Sequence, residues 1–460
     1  MTAEKGVQPS EASALPGQEE EPEQPEQPER PSPPGRAAQP GPIGRHGDFN
    51  KLWFGQAVSS VGSQVTLLAL PLTAVLYLHA TAGQVGLMTA AGLLAYCGPS
   101  LLFGVMADRM RRRPLMIAAD IGRTAVITVV PVLAWTGSLS MPVLYAVALV
   151  QGALTVIFEV AYRSYLPSLV SAGALLAGNS RLQSTASVAQ VGGPGLSGAL
   201  VDLLGAPFAL LADAGSFVVS VTSLLWIRAR EPVPERSHLP GAPAGVRGVI
   251  SEVHGGLRFI YRHPVLRPLA SSAATFNFFS QLQLTLFVLY ANREMHMSAG
   301  AIGLVLAFFG VGGMTAAATV RRGLAWLGYG NMLLAGYAMG ALAILGIPLV
   351  PGPAALSTVL FIGVYFVAGY GIVATNIAMT TLRQIATPGS LQGRVNASFR
   401  FAIGALMPFS AVLAGLLGER LGVRPTLFIC ACGMPISVLL IGFSAARKVR
   451  TSDEVLTAEG

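Results

Sequence analysis

From about residue 52 to 446 the chain repeats one pattern: a long apolar run, a short polar connection, then another apolar run. About 20 apolar residues in a helix cross the roughly 30 Å of hydrocarbon in a bilayer. Inside that layer every backbone N–H and C=O must find its partner within the protein, which leaves helices and closed barrels. The runs are continuous and do not alternate between polar and apolar, so the reading is an all-α integral membrane protein. The expected spans are 52–78, 83–107, 114–137, 141–165, 181–203 and 207–228, then 265–291, 298–320, 329–350, 354–378, 396–418 and 424–446, twelve in all. Composition agrees: 11% of residues are charged, against about 25% in soluble domains.

Charge sets the orientation. Residues 1–50, with the near-repeat PEQPEQPER, form an acidic proline-rich segment that cannot bury enough apolar surface to fold alone. Its first 47 residues hold 8 of the 22 acids and 4 of the 30 bases, so the remainder carries 26 bases against 14 acids. Most of those bases fall in the connections after every second span, including Arg111, Arg112, Arg113, Arg228, Arg247, Arg321, Arg322, Arg383 and Arg394. By the positive-inside bias these connections and both termini are cytoplasmic, in a plasma-membrane protein. The basic cluster at 109–113 is then a membrane anchor, and no nucleic-acid partner is expected.

The longest connection divides the spans six and six, giving bundles at 51–228 and 265–446 and a tail at 447–460. Within the 229–264 linker, Val249, Val253, Leu257 and Ile260 recur at helical spacing with Arg258 and Arg262 on the other side, which predicts an interfacial helix ended by Pro264. The bundles also match at a constant offset of 217: AGQVGLMTA at 82–90 aligns with AGAIGLVLA at 299–307, and the register continues through Gly152/Gly369, Gly198/Gly415 and Gly205/Gly422. Two pseudo-symmetric six-helix halves point to an alternating-access transporter with its site between them.

With these features the chain resembles the major facilitator superfamily across about residues 50–446. The carrier is Gly104, Asp108, Arg109, Arg112 and Arg113, the pattern of the superfamily's loop between spans 2 and 3. A narrower similarity, to enterobactin exporters and macrolide efflux proteins, lies in PLMIAADIGRT with Asp120 and Arg123, FALLADAGSFVVS with Asp213, GLRFIYRHPVLR, and LQGRVNASFRF. The resemblance implies a gating role for the loop motif and for Gly193 and Pro194 in span 5, where Ser197 stands in place of a common glycine. It also implies a cavity lined from spans 1, 4, 7 and 10, with Gln64, Gln151, Asn277, Gln281 and Asn376 as polar candidates and Phe276 and Phe279 as walls. The span 4 arginine of the superfamily's antiporters is Ala148 here, so a proton relay built around it is absent or moved elsewhere.

A phosphate-binding loop needs lysine after glycine, and Lys5, Lys51 and Lys448 are the only lysines, none so placed. That leaves an ion gradient or facilitated diffusion. Intramembrane charges each cost roughly 2.5–3.5 kcal/mol on insertion scales and so need partners or a purpose. Asp120/Arg123 and Glu159/Arg163 are spaced to pair along one helix face and are read as a gating network near the cytoplasmic ends of spans 3 and 4. Asp213, with no basic residue within a turn, is the first candidate for carrying a proton, ahead of Glu159 and Asp120. Cys97, Cys430 and Cys432 complete no ligand set, so neither metal nor cofactor is expected, nor an enzyme active site. The expectation is a monomeric, proton-coupled exporter of amphipathic drugs, secondary metabolites or siderophore-like compounds. An importer or lipid transporter of the same fold is the alternative; from another class, so is a non-transporting receptor.

Overall fold

Backbone bonding in the described residues is helical throughout, as a lipid-exposed chain requires. The computed structural model describes residues 47–97, 110–229, 246–350 and 354–450. In chain order the helices are α1 Gly47–Leu72, α2 Ala82–Cys97, α3 Arg112–Trp135, α4 Met141–Leu169, α5 Leu175–Leu204, α6 Ala206–Trp226, α7 Val246–Arg262, α8 Leu266–Arg293, α9 Ala299–Leu349, α10 Ala354–Ile385, α11 Gln392–Gly404, α12 Met407–Leu421, α13 Val423–Gly433 and α14 Pro435–Gly442. Eight helical stretches among these residues are long and apolar enough to cross a membrane. The stretch counted as α9 holds two of the predicted spans, because Gly328 (φ 73°) breaks its direction without ending the bonding. The connection expected between 320 and 329 is thus helical up to that glycine. Of the predicted spans, α2, described only as far as Cys97, and α5 and α8 fall outside the count; α5 and α8 carry polar residues that face the interior, described below.

Prolines explain where the last two predicted spans are interrupted. Pro408 and Pro435 sit in the first turns of α12 and α14, where the missing N–H costs nothing but no bond back to the preceding turn is possible. Two glycines make the sharpest reversals. Gly205 (φ 86°) joins α5 to α6 and Gly422 (φ 92°) joins α12 to α13, and they are equivalent under the 217-residue offset. Positive φ is open to glycine and strained for other residues.

The linker helix α7 forms as its pattern predicts. Val253, Gly256 and Ile260 are buried while His254, Arg258 and Arg262 are exposed, and the Ser398 hydroxyl of α11 donates to the Val253 carbonyl at 2.9 Å.

Before the linker, α1 packs on α5 and α6, and α3 and α4 complete that group; after it, α9 lies along α10 and α8 along α12. The two most extensive contacts between the groups are α5 with α9 and α2 with α12. Both are glycine-mediated: a Cβ on Gly303 would stand 2.2 Å from the Pro194 carbonyl oxygen, and one on Gly86 2.6 Å from that of Ala411. Such backbone-to-backbone approach is how small residues fasten helices in a membrane.

Candidate functional site

A cavity of about 820 Å³ lies where α1, α2, α4 and α5 face α8, α9 and α10. Gln64 of α1, Gln151 of α4, Gln190 of α5, and Gln281 and Gln283 of α8 supply amides; Thr66, Thr155, Ser187 and Ser280 supply hydroxyls. Apolar residues, among them Leu67, Met88, Phe309 and Ile372, make most of the remaining wall. Among the described residues that line it, none is charged. Ala148 is one of them, so the residue standing where antiporters of the superfamily carry arginine leaves the wall neutral. Gln151 Oε1 is buried without a hydrogen-bond partner, an acceptor available to a donor on a bound molecule.

Three of the cavity residues expected from the sequence are there: Gln64, Gln151 and Gln281. Three are not. Asn277 donates to the Ala273 carbonyl of its own helix at 2.8 Å. Phe276 is 4% exposed and packs on Tyr337, ring centres 5.2 Å apart. Asn376, one helical turn beyond the lining residue Ile372, is exposed and outside the lining set. Helix rotation about one residue's worth decides between these outcomes, and apolar periodicity is weak in a helix wetted by lipid on one side and cavity on the other. Residues not singled out in advance are Thr66, Gln190 and Gln283. The repeat offset carries a signal for two of them, since 217 residues separate Gln64 from Gln281 and Thr66 from Gln283.

The backbone around the cavity accounts for the span 5 motif. A Cβ on Gly193 would fall 2.5 Å from the Cβ of Gln64, so glycine there lets α5 press on α1. The departure at Ser197 has a use: its hydroxyl donates to the Val65 carbonyl at 3.2 Å, and the side chain is fully buried.

Behind the cavity wall lies a buried charge cluster. Arg123 donates to Asp120 along α3, and its guanidinium is held between the rings of Phe158 and Phe217, each centre 4.3 Å away. Such cation–π contact is strongest when desolvated. Asp213 of α6 lies within electrostatic reach of both Arg123 and Asp120. Its carboxylate accepts from Ser216 Oγ at 2.9 Å and from the Thr66 hydroxyl. Asp120 and Asp213 are 0% exposed and Arg123 4%. Two sequence expectations are corrected here. Asp213 is not isolated, because tertiary packing brings Arg123 from another helix; and Asp120 and Arg123 sit near the middle of α3, within one cluster with Asp213. Glu159 and Arg163 do not join it: they are 3.7 Å apart with side chains 43% and 60% exposed.

Of the loop motif, Gly104, Asp108 and Arg109 lie outside the described residues. Arg112 opens α3, and Arg113 donates to the carbonyls of Leu224 and Leu225, both at 2.9 Å. A cation on the free carbonyls at the end of α6 is a favourable helix terminus. Among the described residues there is no cluster of His, Cys, Asp and Glu that could hold a metal ion.

The chain is 26% identical over 411 residues to the multidrug efflux pump Tap of Mycolicibacterium fortuitum, covering 87% of this chain and 95% of that one. It is 25% identical over 401 residues to the enterobactin exporter EntS of Citrobacter koseri, covering 86% and 91%. A solved nucleoside transporter, NupG, shares the fold at a TM-score of 0.70 and 10% identity, covering 86% of this chain and 99% of that one. A bacterial homologue of the iron transporter ferroportin, in an inward-facing state, does so at 0.61 and 17%, covering 86% and 97%. The family model for the Major Facilitator Superfamily matches residues 52–411, and the chain belongs to that superfamily of membrane transporters.

Proposed function

We propose that this chain is a proton-coupled exporter of uncharged or amphipathic small molecules, working by alternating access with twelve crossings in two six-helix halves. The arginine-rich ends and both termini lie on the cytoplasmic side of the plasma membrane, with bundles at 51–228 and 265–446 joined by the 229–264 linker. Export as the direction draws on the similarity to proteins described as an efflux pump and an exporter. The neutral, amide-rich cavity suits a ligand that brings hydrogen-bonding groups and apolar surface but no charge, since a buried charge without a partner is expensive.

The observation that carries the coupling is Thr66. Its side chain belongs to the cavity wall, and its hydroxyl donates to Asp213 behind that wall. Two carboxyls share one guanidinium in the cluster, so the buried group is electrically neutral when one carboxyl holds a proton. Asp120 has Arg123 as its direct partner, which leaves Asp213 as the proton carrier. A ligand that moves Thr66 changes the hydrogen bonding of that carboxyl, and proton uptake in turn changes the cavity wall.

The test is reconstitution in proteoliposomes. Asp213→Asn is expected to abolish accumulation driven by a pH gradient while leaving downhill exchange of the same substrate measurable. Full gradient-driven accumulation by this variant would remove Asp213 from the coupling step.

A further inference from the structure

At the end of the molecule away from the arginine-rich connections, the cavity is covered where α5 meets α9 and α2 meets α12. One acid stands at each contact. The Asp202 carboxylate, near the end of α5, crosses to the start of α9 and accepts from the backbone N–H of Ala299 at 3.1 Å and of Gly300 at 2.8 Å. Ser298 caps the next free donor of that helix, accepting from Ala301 N at 3.2 Å. The second contact places an acid in the corresponding position, beside the start of α2. Glu419, near the end of α12, sets Oε2 only 2.2 Å from where a Cβ on Gly83 would stand, as Asp202 Oδ2 lies 2.6 Å from that position on Gly300. Thr81 and Gln84 satisfy their part of the α2 start through a reciprocal pair of bonds, Thr81 N to Gln84 Oε1 at 2.9 Å and Gln84 N to Thr81 Oγ1 at 3.3 Å.

All the parts correspond under the 217-residue offset: Asp202 with Glu419, Gly300 with Gly83, Ser298 with Thr81, Gly198 with Gly415. Beside each acid the two helices touch at glycine. A Cβ on Gly198 would meet the Ala299 carbonyl oxygen at 2.4 Å, and one on Gly415 that of Ala82 at 2.9 Å. The carboxylate therefore meets the positive end of a helix that belongs to the opposite half, where free N–H groups and the helix dipole both favour an anion.

We propose that Asp202 and Glu419 are a matched pair of latches that hold the cavity shut at this end and set how often it opens to the outside. Each is a positioning residue: it lies in neither the cavity nor the buried charge cluster and acts through the packing of α5 on α9 and of α12 on α2. Both acids are exposed to water, so each contact can be broken and remade without burying a bare charge. The glycines supply the close fit and the acids supply its directionality. The inference rests on the alternating-access reading, with the arginine-rich ends inside, but not on protons or on Asp213.

The experiment reports the closed-to-open balance directly and uses no pH gradient. In full-length protein with Cys97, Cys430 and Cys432 replaced, Ser280→Cys in the cavity wall is labelled from outside by an impermeant maleimide in right-side-out vesicles. Asp202→Asn and Glu419→Gln are each expected to raise the labelling rate about threefold, and together about tenfold, the size of an anion's contribution at a helix start. Asp202→Lys, which presents a cation to the same N–H groups, should raise it further than Asp202→Asn, a ranking that loss of packing alone does not produce. Gly83→Ala keeps Glu419 but puts a methyl where its carboxylate lies, and should match Glu419→Gln. Glu294→Gln, an exposed acid at the end of α8 that lies at neither contact, serves as control. Labelling at the parental rate in Asp202→Asn, Glu419→Gln and Gly83→Ala, with protein that remains monodisperse in detergent, overturns the proposal. Asp202→Lys labelling no faster than Asp202→Asn overturns its electrostatic part. A failure of gradient-driven transport in Asp213→Asn bears on neither outcome.

Discussion

Thr66 shows how much a single hydroxyl can join. In the sequence it is an ordinary threonine in an apolar run, and its importance comes from lying between a cavity and a buried carboxyl contributed by a helix 147 positions further on. Thr66→Val keeps the shape of the side chain and removes the donor, so the cavity volume is retained while Asp213 loses one of its two side-chain donors. Gradient-driven transport should fall about tenfold, in line with a hydrogen bond to a charged group, with downhill exchange within about twofold of the parent. In an Asp213→Asn background, adding Thr66→Val should cause no further loss, because both changes cut the same link. Flux assays on the three variants in one liposome preparation check this. At Gly62 the sign of a substitution is set by sterics: alanine normally favours a helix over glycine by about 1 kcal/mol, but a Cβ there would stand 2.1 Å from Ser216 Oγ and 2.6 Å from Asp213 Oδ1. Gly62→Ala should lower the melting temperature in detergent despite its better helix propensity; a rise would mean that α1 and α6 can move apart freely.

For the elements, the duplicated turns are as informative as the helices. Gly205 and Gly422 reverse the chain within one residue, in backbone conformations closed to most side chains. Gly205→Ala and Gly422→Ala should each destabilise by about 1–3 kcal/mol, the cost of holding an L-residue at positive φ with ψ near 150–160°, read as lowered midpoints in a thermal scan. Equal losses are expected, since the two turns are copies. Long helices were legible because about 20 consecutive apolar residues admit few other structures. Their interruptions were partly legible: Pro408 and Pro435 are visible in the sequence, whereas Gly328 marks a break only because its φ is positive. The amphipathic pattern of α7 was readable because one of its faces meets water and the other meets α11.

On the scale of the molecule, the proposed orientation rests on arginine placement and is open to direct measurement. In a cysteine-free background, Ser138→Cys should react with an impermeant thiol reagent added outside, and Arg112→Cys only after permeabilisation. Labelling of the second from outside would invert the assignment and with it the direction in which the cavity is sealed. By itself the sequence determined that this is a helical membrane protein, that residues repeat along it at a constant offset of 217, which connections carry the positive charge, and that the cavity candidates are polar but uncharged. These properties are written in local composition, in run length and in the constant spacing of repeats. Tertiary structure alone decided which polar residues face the cavity, placed Arg123 beside Asp213, excluded Glu159 from that cluster and brought Asp202 and Glu419 onto the opposite half. The reason is physical: in a helix with lipid on one side and protein on the other, neither environment repels apolar residues, so the sequence does not encode rotation about the axis. That rotation is set by close packing at glycines and by the few hydrogen bonds that cross between helices.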